Sequence, residues 1–295
     1  MTRLRELVLR GDVMEVVILP ALGGRLHRVR AFGVDLLRTS ADPATHADDP
    51  IFWGGPVMAP WCNRAPAGPM KLAGRVVDLR SNFPDGAAIH GLIFVAPWER
   101  LEDSRLAIRR DASDDWPWAF EVQQDASLAD ASLELTFRLV NLDPEAPMPA
   151  GIGLHPWFVQ PVAVRVPARG AYRSNTSSSA APDPVAGDLD LRALAAPSGG
   201  LDGTWTDLTE PRIALAWPES GIRATLSIET DAPSSCVAVT TPGDLDAVAV
   251  EPQTHGPDPF RRLAAGEPDA PCLLPPGGSL RLTVRLSVER DPGAT

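Results

Sequence analysis

Two segments of the chain alternate apolar and polar residues with a period of two. In SLRLTVRLSV, Leu280, Leu282, Val284, Leu286 and Val288 are interleaved with Ser279, Arg281, Thr283, Arg285 and Ser287. In SLELTFRLVN, Leu133, Leu135, Phe137 and Leu139 share one face. This period puts every second side chain on the same side, so both segments read as half-buried antiparallel strands. VMEVVIL, GRVVDLR, FEVQQD, RIALAW, RATLSIE and CVAVT are shorter candidates, most of them bounded by Gly, Pro, Asp or Asn. A sustained helical period is missing, and 31 prolines and 24 glycines interrupt the chain too often for long helices. The most helix-like stretch, DLDLRALAA, is a turn or two at most. It lies within residues 173–207, which read as a long surface excursion. With no fixed-period repeat, propellers and solenoids are disfavoured. The pattern predicts one all-β domain over residues 1–295, a large antiparallel β-sandwich with few short helices.

Composition narrows the function classes. The chain has 295 residues, 44% of them hydrophobic, and a formal net charge of −11. Nothing resembles a basic stripe for neutralising phosphates, so nucleic acid is not an expected partner. Lys71 is the single lysine. Cys62, Cys236 and Cys272 are widely spaced, without a C-x-x-C pair, which suits neither a disulfide framework nor a zinc site and fits a reducing, cytoplasmic setting. The N-terminal stretch lacks an uninterrupted apolar core and cleavage site, and no apolar run reaches about 18 residues, so no membrane association is expected.

Four segments place polar groups in rigid surroundings. PWCNRAPAGP carries Asn63 and Arg64, DGAAIHGL carries His90, and AGIGLHPWFVQP carries His155 and Trp157. In VAVEPQTHGPD, Glu251 closes an apolar strand and abuts Pro252, a position suited to facing a cleft. Taken alone, His155 is open to three readings: a core histidine with satisfied hydrogen bonds, a metal ligand, or a proton donor.

In order along the chain, NRAPAGPMKLAGRVVDL, AIHGL, HPWF, VEPQTHGPDPFRRL and CLLPPGGSLRLTVRLSV resemble the motifs of the aldose 1-epimerase (galactose mutarotase) family. Together they cover the chain from about Gly24 to Val288. The resemblance implies a mutarotase that interconverts α and β anomers of a small-molecule aldose without a cofactor or metal. It implies Glu251 as base and His155 as acid, with Arg64 and His90 contacting the sugar. Trp157 stands where relatives often carry tyrosine, and Asp202, in GGLDGTWTDL, stands where the family places an aspartate on sugar hydroxyls. Acting as acid requires His155 to be protonated at rest, held so by nearby carboxylates. The flanking Gly151 and Gly153 are expected to let the backbone bend.

NRAP for the usual Asn-Arg-Ile, HGL for His-Gly-Gly and Trp157 for tyrosine leave the sugar, and the oligomeric state, unspecified. Two variants stay open on the same fold: a hexose-6-phosphate mutarotase, with Arg25 or Arg80 receiving phosphate, and a non-catalytic carbohydrate-binding protein. A cupin-like metal site of His90, His155, Glu251 and His255 is a third reading, weakened by the absence of His-x-His. His27, His46 and His255 match no motif strongly and read as solvent or turn residues.

Overall fold

The computed structural model describes residues 5–174 and 179–291. Two eight-stranded antiparallel sheets dominate it. The first runs Glu99–Arg100, Arg105–Arg110, Phe120–Ala129, Ser132–Asn141, Ser279–Arg290, Ile222–Thr230, Arg212–Trp217 and Ala163–Arg165. The second runs Asp183–Pro184, Ala168–Tyr172, Asp202–Leu208, Cys236–Thr240, Ala247–Gln253, Gly153–Leu154 and Val57–Met58, with Trp157–Val159 also paired to Ala247–Gln253. A four-stranded sheet spans Leu7–Arg10, Met14–Leu19, Arg25–Ala31 and Val34–Asp35. The two described α-helices, Thr45–Asp48 and Pro259–Ala265, are short. The architecture is the all-β antiparallel sandwich that the alternation predicts.

The two strongest period-two segments are adjacent in the first sheet. Leu133 pairs with Leu286, Leu135 with Val284, Phe137 with Leu282 and Leu139 with Leu280. The rows continue outward, Leu226 opposing Leu286 and Val122 opposing Leu139. All these side chains are buried in one continuous core, while Arg281 and Arg285 on the other face pair with Glu229 and Glu134. Burying each large aliphatic side chain contributes about 1.5–3 kcal/mol, which outweighs the 0–1 kcal/mol of an exposed ion pair.

The excursion expected over residues 173–207 is only partly a surface loop. The start of DLDLRALAA overlaps one 3-10 turn, Gly187–Leu189, and Asp202–Leu208 is an interior strand of the second sheet. Leu189, Leu191, Leu201 and Trp205 are buried. Asp202–Leu208 carries no period-two alternation that would have marked it as a strand, since Trp205 and Leu208 are three positions apart. Residues 175–178 of that segment lie outside the described residues. Among the described residues no helix is long and apolar enough to cross a membrane.

Leu282→Ala is expected to lower unfolding free energy by about 2–5 kcal/mol. Arg281→Ala should lower it by less than about 1 kcal/mol. Urea denaturation of the two variants checks the contrast; equal losses would show that the paired strands do not carry the core.

Candidate active site

The strand Ala247–Gln253 has two different faces. Val248 and Val250 join the main core, whereas Ala247, Ala249, Glu251 and Gln253 leave the opposite side. Directly paired residues of antiparallel strands share a face. One row across the sheet therefore reads Asp202, Thr240, Ala249, Trp157, and the next reads Tyr172, Thr204, Ala238, Glu251. Alanine at 238, 247 and 249 keeps the middle of this face low.

A cavity of about 320 Å³ opens above it, a size suited to a small ligand. Glu251, His155, Arg64, His90, Asp202 and Trp157 all line it, so the fold brings together all six residues singled out from sequence. It adds Thr240, Thr241 and Asp244, and an apolar wall of Ile51, Phe52 and Phe83. These additions sit in short loops and rows whose local sequence carries no motif.

His155 and Glu251 are both buried, and His155 Nε2 lies 3.2 Å from Glu251 Oε1. The His155 ring stands edge-on to His90, with centroids 5.0 Å apart, and lies 5.0 Å from the Trp157 ring. Trp157 is fixed as a wall by its indole N–H, which donates to the Ile51 carbonyl at 2.8 Å. His155 Nδ1 is buried without a hydrogen-bond partner among the described residues.

His90 is set by a reciprocal contact with Asn63. The Asn63 N–H donates to His90 Nδ1 at 3.2 Å, and the His90 N–H donates to the Asn63 carbonyl at 3.0 Å. Nδ1 is thus the acceptor, and the neutral ring carries its proton on Nε2. Both residues have φ of 61°, sparsely populated for side chains other than glycine, and they face each other at one end of the short ladder Arg64–Ala65 and Ala88–Ile89. The glycine after His90 is required: at Gly91 φ is 77° and a Cβ would fall 1.9 Å from the Ala59 carbonyl oxygen.

Arg64 donates through Nε to Asp85 at 2.7 Å and lies over the Phe83 ring. Asp202 accepts from Thr240 Oγ1 at 3.1 Å and from Ser174 Oγ at 3.3 Å. Arg64 is the one cationic residue lining the cavity among the described residues, against Asp202, Asp244 and Glu251.

Several expectations are corrected. Burial pushes His155 down to about 3, and Arg25 and Arg64 push the same way, against a partial lift from its own backbone carbonyl. Burial raises Glu251 to about 8, with Asp202 adding to the rise and Arg64 opposing it. The resting pair is therefore a neutral imidazole beside a carboxylic acid, not an imidazolium held up by carboxylates. Gly151 and Gly153 have ordinary backbone angles and make room instead: a Cβ on Gly151 would meet His255 Cδ2 at 2.2 Å, and one on Gly153 would meet Met58 Cε at 2.7 Å.

His255 is fully buried, accepting from the Cys62 N–H at 2.9 Å and donating through Nδ1 to the Gly256 carbonyl. With both nitrogens occupied away from the cavity, it joins no ligand set with His90, His155 and Glu251. His27 and His46 are likewise buried rather than solvent residues. Arginine only donates, so Arg25 Nη1 gives to His46 Nδ1 at 3.2 Å, and His46 Nε2 then donates to His27 Nδ1 at 2.9 Å. Arg25 also donates to the carbonyls of Leu22 and Phe94. Arg80 is exposed and faces a separate cavity, so neither arginine reaches the candidate site. Among the described residues no three His, Cys, Asp or Glu side chains are grouped to hold a metal ion.

The aldose 1-epimerase family profile matches residues 6–287. The chain belongs to the aldose 1-epimerase family. A galactose mutarotase-like protein from Clostridium acetobutylicum superposes with a TM-score of 0.80 at 18% identity, covering 96% of this chain and 94% of its own. A galactose 1-epimerase from Lactobacillus acidophilus NCFM gives 0.73 at 17%, covering 96% and 93%. A galactose mutarotase-like protein from Lactobacillus casei gives 0.73 at 16%, covering 97% and 100%. At these identities the likeness carries the fold alone. No curated protein matches the chain in sequence.

Glu251→Gln tests the buried acid. In the folded protein Glu251 keeps its proton to about pH 8, whereas the ordinary value is 4.5. The stability tied to the protonated form is complete below the ordinary value and is lost as pH rises towards 8. Glutamine stays neutral throughout, so Glu251→Gln should melt at the same temperature as the parent at acid pH and at a higher one at pH 8. Identical melting curves at both pH values would show that Glu251 ionises in the ordinary range.

Proposed function

We propose that this protein is an aldose 1-epimerase that interconverts the anomers of a neutral, unphosphorylated sugar, with Glu251 as base and His155 as acid. The observation that carries the reading is the 3.2 Å contact between these two buried side chains in a cavity of sugar size. Acid and base need to reach O1 and O5 of one pyranose, and these oxygens share the anomeric carbon.

The neutral pair and the ion pair contain the same number of protons. Moving one proton from Glu251 to His155 readies both groups without exchange with solvent. Glu251 then removes the O1 proton, the C1–O5 bond breaks as C1=O1 forms, and His155 Nε2 gives its proton to O5. Rotation about C1–C2 turns the other face of the aldehyde to O5. On closure His155 recovers the O5 proton, O5 attacks C1, and Glu251 returns a proton to O1. Every atom and proton balances, and no electron leaves the sugar.

Arg64, already paired with Asp85, serves as a fixed donor near the reacting oxygens, and His90 presents Nε2–H. Asp202 accepts from sugar hydroxyls, and the Trp157 and Phe52 rings cover apolar sugar faces. Three carboxyl residues against one compensated arginine disfavour a phosphosugar.

Polarimetry or exchange NMR on freshly dissolved α-anomers checks the reading. Glu251→Gln and His155→Ala are each expected to slow anomer exchange by about 10²–10⁴-fold while circular dichroism stays unchanged. Sugar binding without faster exchange by the parent would overturn the reaction and favour a binding role. The rate should fall as pH rises through about 8, where the pair loses its shared proton, and as pH drops towards 3, where it gains a second. A rate flat from pH 5 to 10 would exclude a shared-proton pair.

A further inference from the structure

Gln253 follows Glu251 by two positions, so both side chains leave the same face of the strand Ala247–Gln253. It is fully buried, and neither its amide oxygen nor its amide nitrogen has a hydrogen-bond partner among the described residues. Its partners across the two ladders are Cys236 and Gly153. The space beside Gly153 is taken by Met58 Cε and Cys62 Sγ, which would lie 2.7 and 2.8 Å from a Cβ there. The amide therefore sits in a floor of thiols and a thioether, which hydrogen-bond weakly. An apolar side chain of the same length would bury there without leaving a donor and an acceptor unmet.

The polar group next to it along the strand face is Glu251. Same-face neighbours on a strand are about 6.5–7 Å apart, a gap that glutamine and glutamate side chains close between them. Glu251 meets His155 through Oε1, and a carboxylate has two oxygens to offer. Gln124 provides a contrast. Its amide is also buried and unpartnered, but it lies between Leu106 and Phe137 in the other sheet, with no acid beside it in the row.

We propose that Gln253 is a positioning residue, whose Nε2 donates to the Glu251 carboxylate whenever that group is charged and so aims its other oxygen at the sugar. The role in the reaction rests on the reading of Glu251 as base. A neutral carboxylic acid gains little from an amide donor, whereas a carboxylate in a dry floor gains a charge-assisted hydrogen bond. Gln253 thereby favours the charge state that the reaction uses without touching the sugar.

The test is the pH titration of the Glu251 carboxyl carbon by 13C NMR, assigned by its loss in Glu251→Gln, in the parent and in Gln253→Met. Methionine keeps the length and removes the donor. The midpoint in Gln253→Met is expected to rise by roughly 1–2 pH units, with a melting temperature at acid pH no lower than the parent's. An unmoved midpoint overturns the proposal. The titration needs no substrate, so a protein that fails to speed anomer exchange refutes the reaction and leaves the Gln253–Glu251 bond separately decided. Where exchange is seen, Gln253→Met should lower kcat below pH 8 with KM unchanged. Should that variant not fold, the parent supplies the same evidence. Its Gln253 amide protons should shift through the Glu251 titration and hold still in Glu251→Gln, and amide protons blind to the titration in the parent overturn the proposal.

Discussion

The site depends on a carboxyl group held out of water at the end of a core strand. Glu251 is 3% exposed, and its burial raises its proton affinity until it sits beside His155 as an acid. That single constraint fixes the proton count of the pair and the pH window of the proposed reaction. It also makes the glutamate a cost to the fold at neutral and alkaline pH. Such a cost is a mark of a functional site, because a glutamine of the same shape would bury more easily.

The rest of the architecture serves to keep that floor in shape. The core face of the same strand, Val248 and Val250, locks the backbone into the sandwich, so the opposite face cannot shift. Small residues supply the remaining geometry by what they leave out. Alanines at 238, 247 and 249 lower the floor, Gly151 admits the His255 ring, and Gly91 admits the Ala59 carbonyl. The paired left-handed residues Asn63 and His90 hold one wall through their reciprocal hydrogen bonds. These devices are spread over segments nearly two hundred residues apart, from Cys62 to His255.

Large parts of this were legible before the fold was known. Period-two alternation in residues 132–141 and 279–288 is a strong local signal because one face is buried and the other solvated. The candidate site residues also stood out, since His90, His155 and Glu251 sit among glycine, proline and aromatic residues that restrict the backbone. Asp202 was harder to place, because the two large apolar residues of its strand, Trp205 and Leu208, do not alternate and the segment looks like part of a loop. His27, His46 and His255 misled for a related reason. Their burial comes from partners far along the chain: Arg25 reaches His46 across 21 positions, and His255 meets the backbone of Cys62 across 193.

The sequence by itself determined the strand pattern and the scarcity of long helices, because each depends on local spacing and residue type, and its motifs, through their resemblance to the family, singled out Glu251 and His155 as the candidate pair. Tertiary structure alone decided the protonation of that pair. A side chain's pKa is set by how much water the rest of the fold removes and which charges it brings near. Net charge pointed to a protonated His155, whereas burial reversed it. Only the fold decided which arginines reach the cavity, leaving Arg64 there and turning Arg25 into a buried donor to backbone carbonyls. Distance along the chain carries no information about either, since both follow from which strands pair and which faces they turn inward.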